Sequence, residues 1–161
     1  MLKLTLIEFF FRGLPEGFLF MFGVYVFSKT VINLKRYILS SIILVGAIYL
    51  IRLLPIQYGV HTILNIIMLI ILTVNINKIG IIKSIQTSLM VMILEFICEG
   101  INVFIIQYIF KANIIYLLSE PTLKILYGIP SLLIFTAIVV TYHFYVARKK
   151  KLSEVLNGKV I

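Results

Sequence analysis

A single cysteine, Cys98, excludes an internal disulfide framework and any thiol metal motif. It stands inside an apolar run, where it reads as a small hydrophobe. Histidine is nearly as scarce. With only His61 and His143 there is no HExxH zinc motif, and the chain has neither a phosphate loop nor a glycine-rich dinucleotide fingerprint. Acidic residues number six against fifteen basic ones, a formal charge of +9. In a soluble protein that excess would point to nucleic acid. Here no basic face is interleaved with aromatic platforms, and nucleic acid is not an expected partner. The chain also lacks linkers, low-complexity stretches and internal repeats. No small-residue cleavage site follows the first apolar run, so that run is expected to be retained.

What is present is hydrocarbon. Hydrophobic residues make up 61% of the sequence and the mean hydropathy is +1.12. Soluble domains are typically about half apolar, so this chain carries more than a water-exposed fold can hide. About 20 apolar residues cross a ~30 Å hydrocarbon core. Five such segments are read: Leu4 to Phe27, Tyr37 to Leu54, Ile56 to Ile76, Ser84 to Phe110 and Leu123 to Val146. The expected fold is an all-α polytopic membrane bundle over residues 1–147, with a basic cytoplasmic tail at 148–161.

Charge placement orients it. Lys29, Lys35, Arg36, Lys78, Lys83, Arg148, Lys149, Lys150, Lys151 and Lys159 fall on one side of a five-helix path; Lys3, Arg52, Lys111 and Lys124 fall on the other. The positive-inside rule then predicts the N-terminus out and the C-terminus in. The basic run at 148–151 suits anionic lipid. The setting expected is a bacterial cytoplasmic membrane.

Ionisable groups inside a membrane helix cost about 2.5–3.5 kcal/mol each on insertion scales, and they pair or face a cavity. Glu8, Arg12 and Glu16 are spaced by four, as are Glu95 and Glu99, with Asn102 continuing that stripe. His61 and Asn65 repeat the spacing on the third segment, and Arg52 ends the second. Pro55 joins the second and third segments with almost no loop, making them an antiparallel hairpin. The predicted topology brings these groups into the outer half of the bilayer. Arg52, His61, Asn65, Glu95 and Glu99 are the candidate lining of an outward-facing polar pocket, completed by Glu8, Arg12 and Glu16. The plainer reading is that the arginines neutralise glutamates and hold helices together. With four carboxylates and two arginines, two acids are left to be protonated, hydrated or matched by a ligand.

Two chemical readings are set aside. Glu8-x-x-x-Arg12 and His61-x-x-x-Asn65 echo the CPBP-type intramembrane proteases. Those proteases have a doubled glutamate, where this chain has Ile7, and a Phe-x-x-x-His element. Gln57 and Val139 stand four residues before His61 and His143. A metal bound by His61, Glu95 and Glu99 would have one imidazole only. No catalytic residues, metal or cofactor are expected. His143, among Tyr142, Phe144 and Tyr145, reads as part of an interfacial aromatic belt.

The turn Arg52-Leu-Leu-Pro-Ile … Gly59-Val-His61-Thr, after a first helix bearing Glu16-Gly17, resembles the membrane sensor region of clostridial GHKL-type (Agr-receptor-like) sensor histidine kinases. The resemblance implies a non-catalytic sensor with a small-molecule or peptide ligand. Neither a phosphoacceptor region nor ATP-binding motifs occur up to Ile161. Such a module would act through a partner kinase or regulator, or as a homo-oligomer. The alternative expectation is a transport subunit or small carrier that holds a solute or proton with the same charges.

Overall fold

In hydrocarbon, a backbone must satisfy its own N–H and C=O groups, and an apolar run does so as a helix. The computed structural model describes residues 9–54, 58–108 and 121–156, with the backbone alone at 58, 121–125, 127 and 150–156. A π-helical turn, Phe9–Gly13, leads into α1 (Leu14–Ser28). It is followed by α2 (Leu34–Leu53), α3 (Tyr58–Asn75), α4 (Ile81–Tyr108) and α5 (Pro121–Leu156). No strand occurs among the described residues. Four spans are long and apolar enough to cross a membrane: Phe9–Ser28, Leu34–Leu53, Ile81–Tyr108 and Gly128–Lys149. α3 is apolar but shorter over Gly59–Asn75. The expected all-α membrane bundle is therefore the fold. Pro55, Ile56 and Gln57 of the helical hairpin lie outside the described residues, as does Glu8.

α1 is the hub. It packs against α2, α4 and α5 and meets α3 lightly, while α2 and α3, α3 and α4, and α4 and α5 are successive neighbours. Small residues permit this closeness. A Cβ added at Gly17 would lie 2.5 Å from Val45 Cγ2 of α2, and one at Gly23 would lie 3.0 Å from Val91 Cγ2 of α4. Without hydrophobic collapse to drive helices together in lipid, association depends on such close backbone approach and on polar contacts.

The layering inverts that of a soluble bundle. On α4, Ser84, Ser88, Val91, Glu95, Cys98 and Asn102 are buried, whereas Leu89, Ile93, Phe96, Ile97, Ile101 and Phe104 are exposed. Each set recurs every three or four residues, so small and polar side chains face the bundle while large apolar ones face outward. α2 likewise exposes Ile38, Leu39, Ile42 and Ile43 and buries Ser40, Ser41 and Leu44. A bilayer accommodates that outer surface; water does not.

Local chemistry sets the helix ends. Lys29 ends α1 in the left-handed region (φ 54°), its N–H donating to Val26 O at 3.2 Å, and the Thr30 N–H donates to Tyr25 O at 3.3 Å. Asn33 caps α2 by accepting the Arg36 N–H at 3.3 Å. That cap starts α2 at Leu34, three residues earlier than hydropathy alone places it. Two other expected boundaries also shift: α4 begins at Ile81, and α5 runs on to Leu156 through its charged end. Alanine, arginine, lysine, leucine and glutamate there are all good helix formers.

Candidate functional site

Pro15 stands at the start of α1 and cannot donate a backbone hydrogen bond. The chain just before it is wound as a π turn, which takes more residues per turn than an α-helix. This winding decides where Arg12 points. Four-residue spacing puts Arg12 and Glu16 on one face with Glu8 if Pro15 does not rotate that face away. Instead Arg12 reaches Glu99 on α4, while Glu16 receives Arg52 from α2.

Both contacts are ion pairs between elements. Arg52 Nη2 donates to Glu16 Oε1 at 3.0 Å and to Oε2 at 3.2 Å. The Glu16 side chain is nearly sealed at 8% exposure. Arg12 Nη2 donates to Glu99 Oε1, and that carboxylate is more open, at 40% exposure. The Arg12 guanidinium also lies against Gly128 of α5. A Cβ at that glycine would sit 2.9 Å from Nη1 and 3.1 Å from Cζ. Arg12 thus touches α4 and α5 together.

Glu95 is the deepest member. It is 5% exposed, and its Oε2 is buried with no hydrogen-bond partner among the described residues. The charges acting on it are those of Glu16, Glu99, Arg12 and Arg52. Three carboxylates therefore share one electrostatic neighbourhood with two guanidiniums. Among the described acids of the cluster, the two pairs leave Glu95 over.

Of the sequence candidates, the fold gathers Arg12, Glu16, Arg52, Glu95 and Glu99. His61 and Asn65 lie half-buried in the first two turns of α3, the helix that α1 meets least. Asn102 is buried one turn beyond Glu99. Among the described residues no three His, Cys, Asp or Glu side chains cluster as metal ligands. An open apolar groove of about 460 Å³ lies elsewhere, along α5 at Ala137, Ile138, Thr141, Tyr142 and Tyr145.

Sequence reasoning missed Gly128, whose role comes from what rests on it. It also missed a second polar cluster at the other end of the bundle. There Tyr25 OH donates to Asn77 Oδ1 at 2.9 Å and Ser40 Oγ donates to the same oxygen at 3.2 Å. Asn77 Nδ2 in turn contacts Met21 Sδ at 3.0 Å, tying α1, α2 and the α3–α4 link together. Tyr37 OH donates to Phe18 O at 3.1 Å close by. The available signal was Ser40-Ser41 inside an apolar run, facing a loop asparagine. His143 packs its ring against Phe22 of α1 at 5.9 Å, and Tyr142 packs against Phe27 at 5.2 Å.

Comparison with protein-family models, curated proteins and solved structures finds no match.

Proposed function

We propose that this protein is a non-catalytic, receptor-like module of a bacterial cytoplasmic membrane. Its intramembrane charge cluster would receive a ligand from the outer side and report occupancy through α5. One observation carries this reading: the Arg12 guanidinium is held by Glu99 and seated on Gly128, so the cluster bears directly on the helix that carries the basic end. α5 is continuous from Pro121 to Leu156. At 1.5 Å per residue, Gly128 lies about 30 Å from Arg148 along its axis. Pro130, two residues beyond the seat, removes a backbone donor where a bend is easiest to alter.

A ligand shifts such an equilibrium only by binding one helix arrangement better than the other. A group competing for Glu99 would release Arg12 and change what α5 rests against. The resemblance of the α2–α3 turn to sensor-kinase membrane regions supports the same direction, with a partner kinase or regulator receiving the signal at the basic end. In this orientation the N-terminus is outside and the tail inside. A carrier holding a solute or proton is the second reading, favoured by the unmatched carboxylate of Glu95.

The test is a distance. Spin labels at Lys35 and Lys149, with the full chain in nanodiscs, report the position of the α5 end against α2. Glu99→Gln, which cuts the Arg12 tether, is expected to shift or broaden the distance distribution. A distribution identical to the parent would overturn the coupling, leaving a static bundle.

A further inference from the structure

We propose that Glu95 is the binding site for a single positive charge, either a proton or a monovalent cation. The proposal rests on the reading of the charge cluster as a ligand site, and it identifies the chemistry of what binds there. An acidic cluster alone would carry little. Here the observation is an unmatched one: Glu16 and Glu99 each hold an arginine, and Glu95 Oε2 is buried with no hydrogen-bond partner among the described residues. A buried carboxylate that is ionised and left without a partner is costly. One positive charge at Glu95 offsets that cost.

Groups facing Glu95 come from every side. The π turn supplies Arg12, α1 Glu16, α2 Arg52, and α4 itself Glu99, all acting on Glu95. Cys98, also buried, lies three residues further along α4. α5 presents Gly128 to Arg12, and the side chains of Lys124 and Tyr127 lie outside the described residues. His61 stands half-buried in the first turn of α3. The two guanidiniums are already paired with Glu99 and Glu16, so the charge proposed here is that of a bound proton or ion. Its size is restricted by burial: Glu95 is 5% exposed. The candidates are small and singly charged: a proton, sodium, potassium or methylammonium.

Infrared difference spectra of the full chain in nanodiscs test this by reading the protonated-carboxyl stretch against pH. The expected result is one titrating carboxyl band, lost in Glu95→Gln and kept in Glu154→Gln. Glutamine matches the protonated acid in shape, so the helical signal in circular dichroism is expected to persist. Glu99→Gln is a second, independent variant: it frees Arg12 for Glu95 and is expected to remove the band as well. Sodium, potassium and methylammonium are then added at fixed pH. Unchanged spectra assign the site to the proton, and collapse of the band assigns it to that cation; either supports the proposal. A band that survives both variants, or no carboxyl band and no cation response at any pH, overturns it. Spin-label distances at the α5 end are read separately. A titrating Glu95 with an unmoved tail would therefore keep the site and reject the receptor reading.

Discussion

Arg52 crosses from the end of α2 to a carboxylate that is almost sealed from its surroundings, and the two sides of that contact are unequal. Arg52 is partly exposed and can hydrate if released, whereas Glu16 cannot. Breaking a buried pair by removing one partner costs more than exchanging both for apolar groups. Arg52→Gln is therefore expected to destabilise the bundle by about 3–5 kcal/mol, read by denaturant unfolding in mixed micelles. The double variant Arg52→Met with Glu16→Met is expected to recover most of that loss. Equal destabilisation by single and double variants would mean that the pair is not what seals Glu16. The nearness of these charges was legible only coarsely: the expected topology put both in the outer half of the bilayer, with Arg52 near the outer end of its helix and Glu16 nearer the middle. The choice of partners was not legible. Spacing by four presumes an α-helix, and the π turn before Pro15 breaks that premise, sending Arg12 and Glu16 to different helices.

Among the elements, α1 shows why a membrane bundle is read differently from a soluble one. Its Gly17 lies against the Val45 side chain of α2, where there is no room for a Cβ. Gly17→Val is expected to cost about 1–3 kcal/mol of stability by overpacking, with Val45→Ala in the same chain relieving part of it. Neutral behaviour of Gly17→Val in the same unfolding assay would show that α1 and α2 can separate freely. The five helical segments themselves were plain from hydropathy, since each apolar run has one way to satisfy its backbone in lipid. Their ends were less so. Asn33 is a good capping residue in the sequence, yet hydropathy windows weigh only the apolar residues after it. The inward stripe of α4, from Ser84 to Asn102, was visible only in part. Glu95 and Asn102 stand out, while its serines become meaningful only once α1 and α3 are known to lie against that helix.

At the scale of the whole molecule, two polar clusters brace an otherwise apolar bundle. Tyr25, Ser40 and Asn77 close one end with neutral hydrogen bonds, and the arginine–glutamate cluster occupies the other. The neutral end joins α1, α2 and the α3–α4 link through Asn77, which suits an anchor. Among the described residues the charged end leaves Glu95 Oε2 without a hydrogen-bond partner and touches α5 through Arg12, which suits a site that changes state. Interfacial rings at Phe22, Phe27, Tyr142 and His143 join α1 to α5 lower down, so a disturbance at Gly128 meets a second contact before the basic end. Gly128 could not be singled out from the sequence, because glycine is ordinary in membrane helices and its importance lies in the guanidinium resting on it. The central claim is that the charge cluster bears on α5 at that point. A double-mutant cycle of Arg12→Gln and Gly128→Ala, followed by unfolding in mixed micelles, tests it most directly. The account predicts that Gly128→Ala destabilises the bundle when Arg12 is present and has little effect when residue 12 is glutamine. Strictly additive effects of the two substitutions would contradict it.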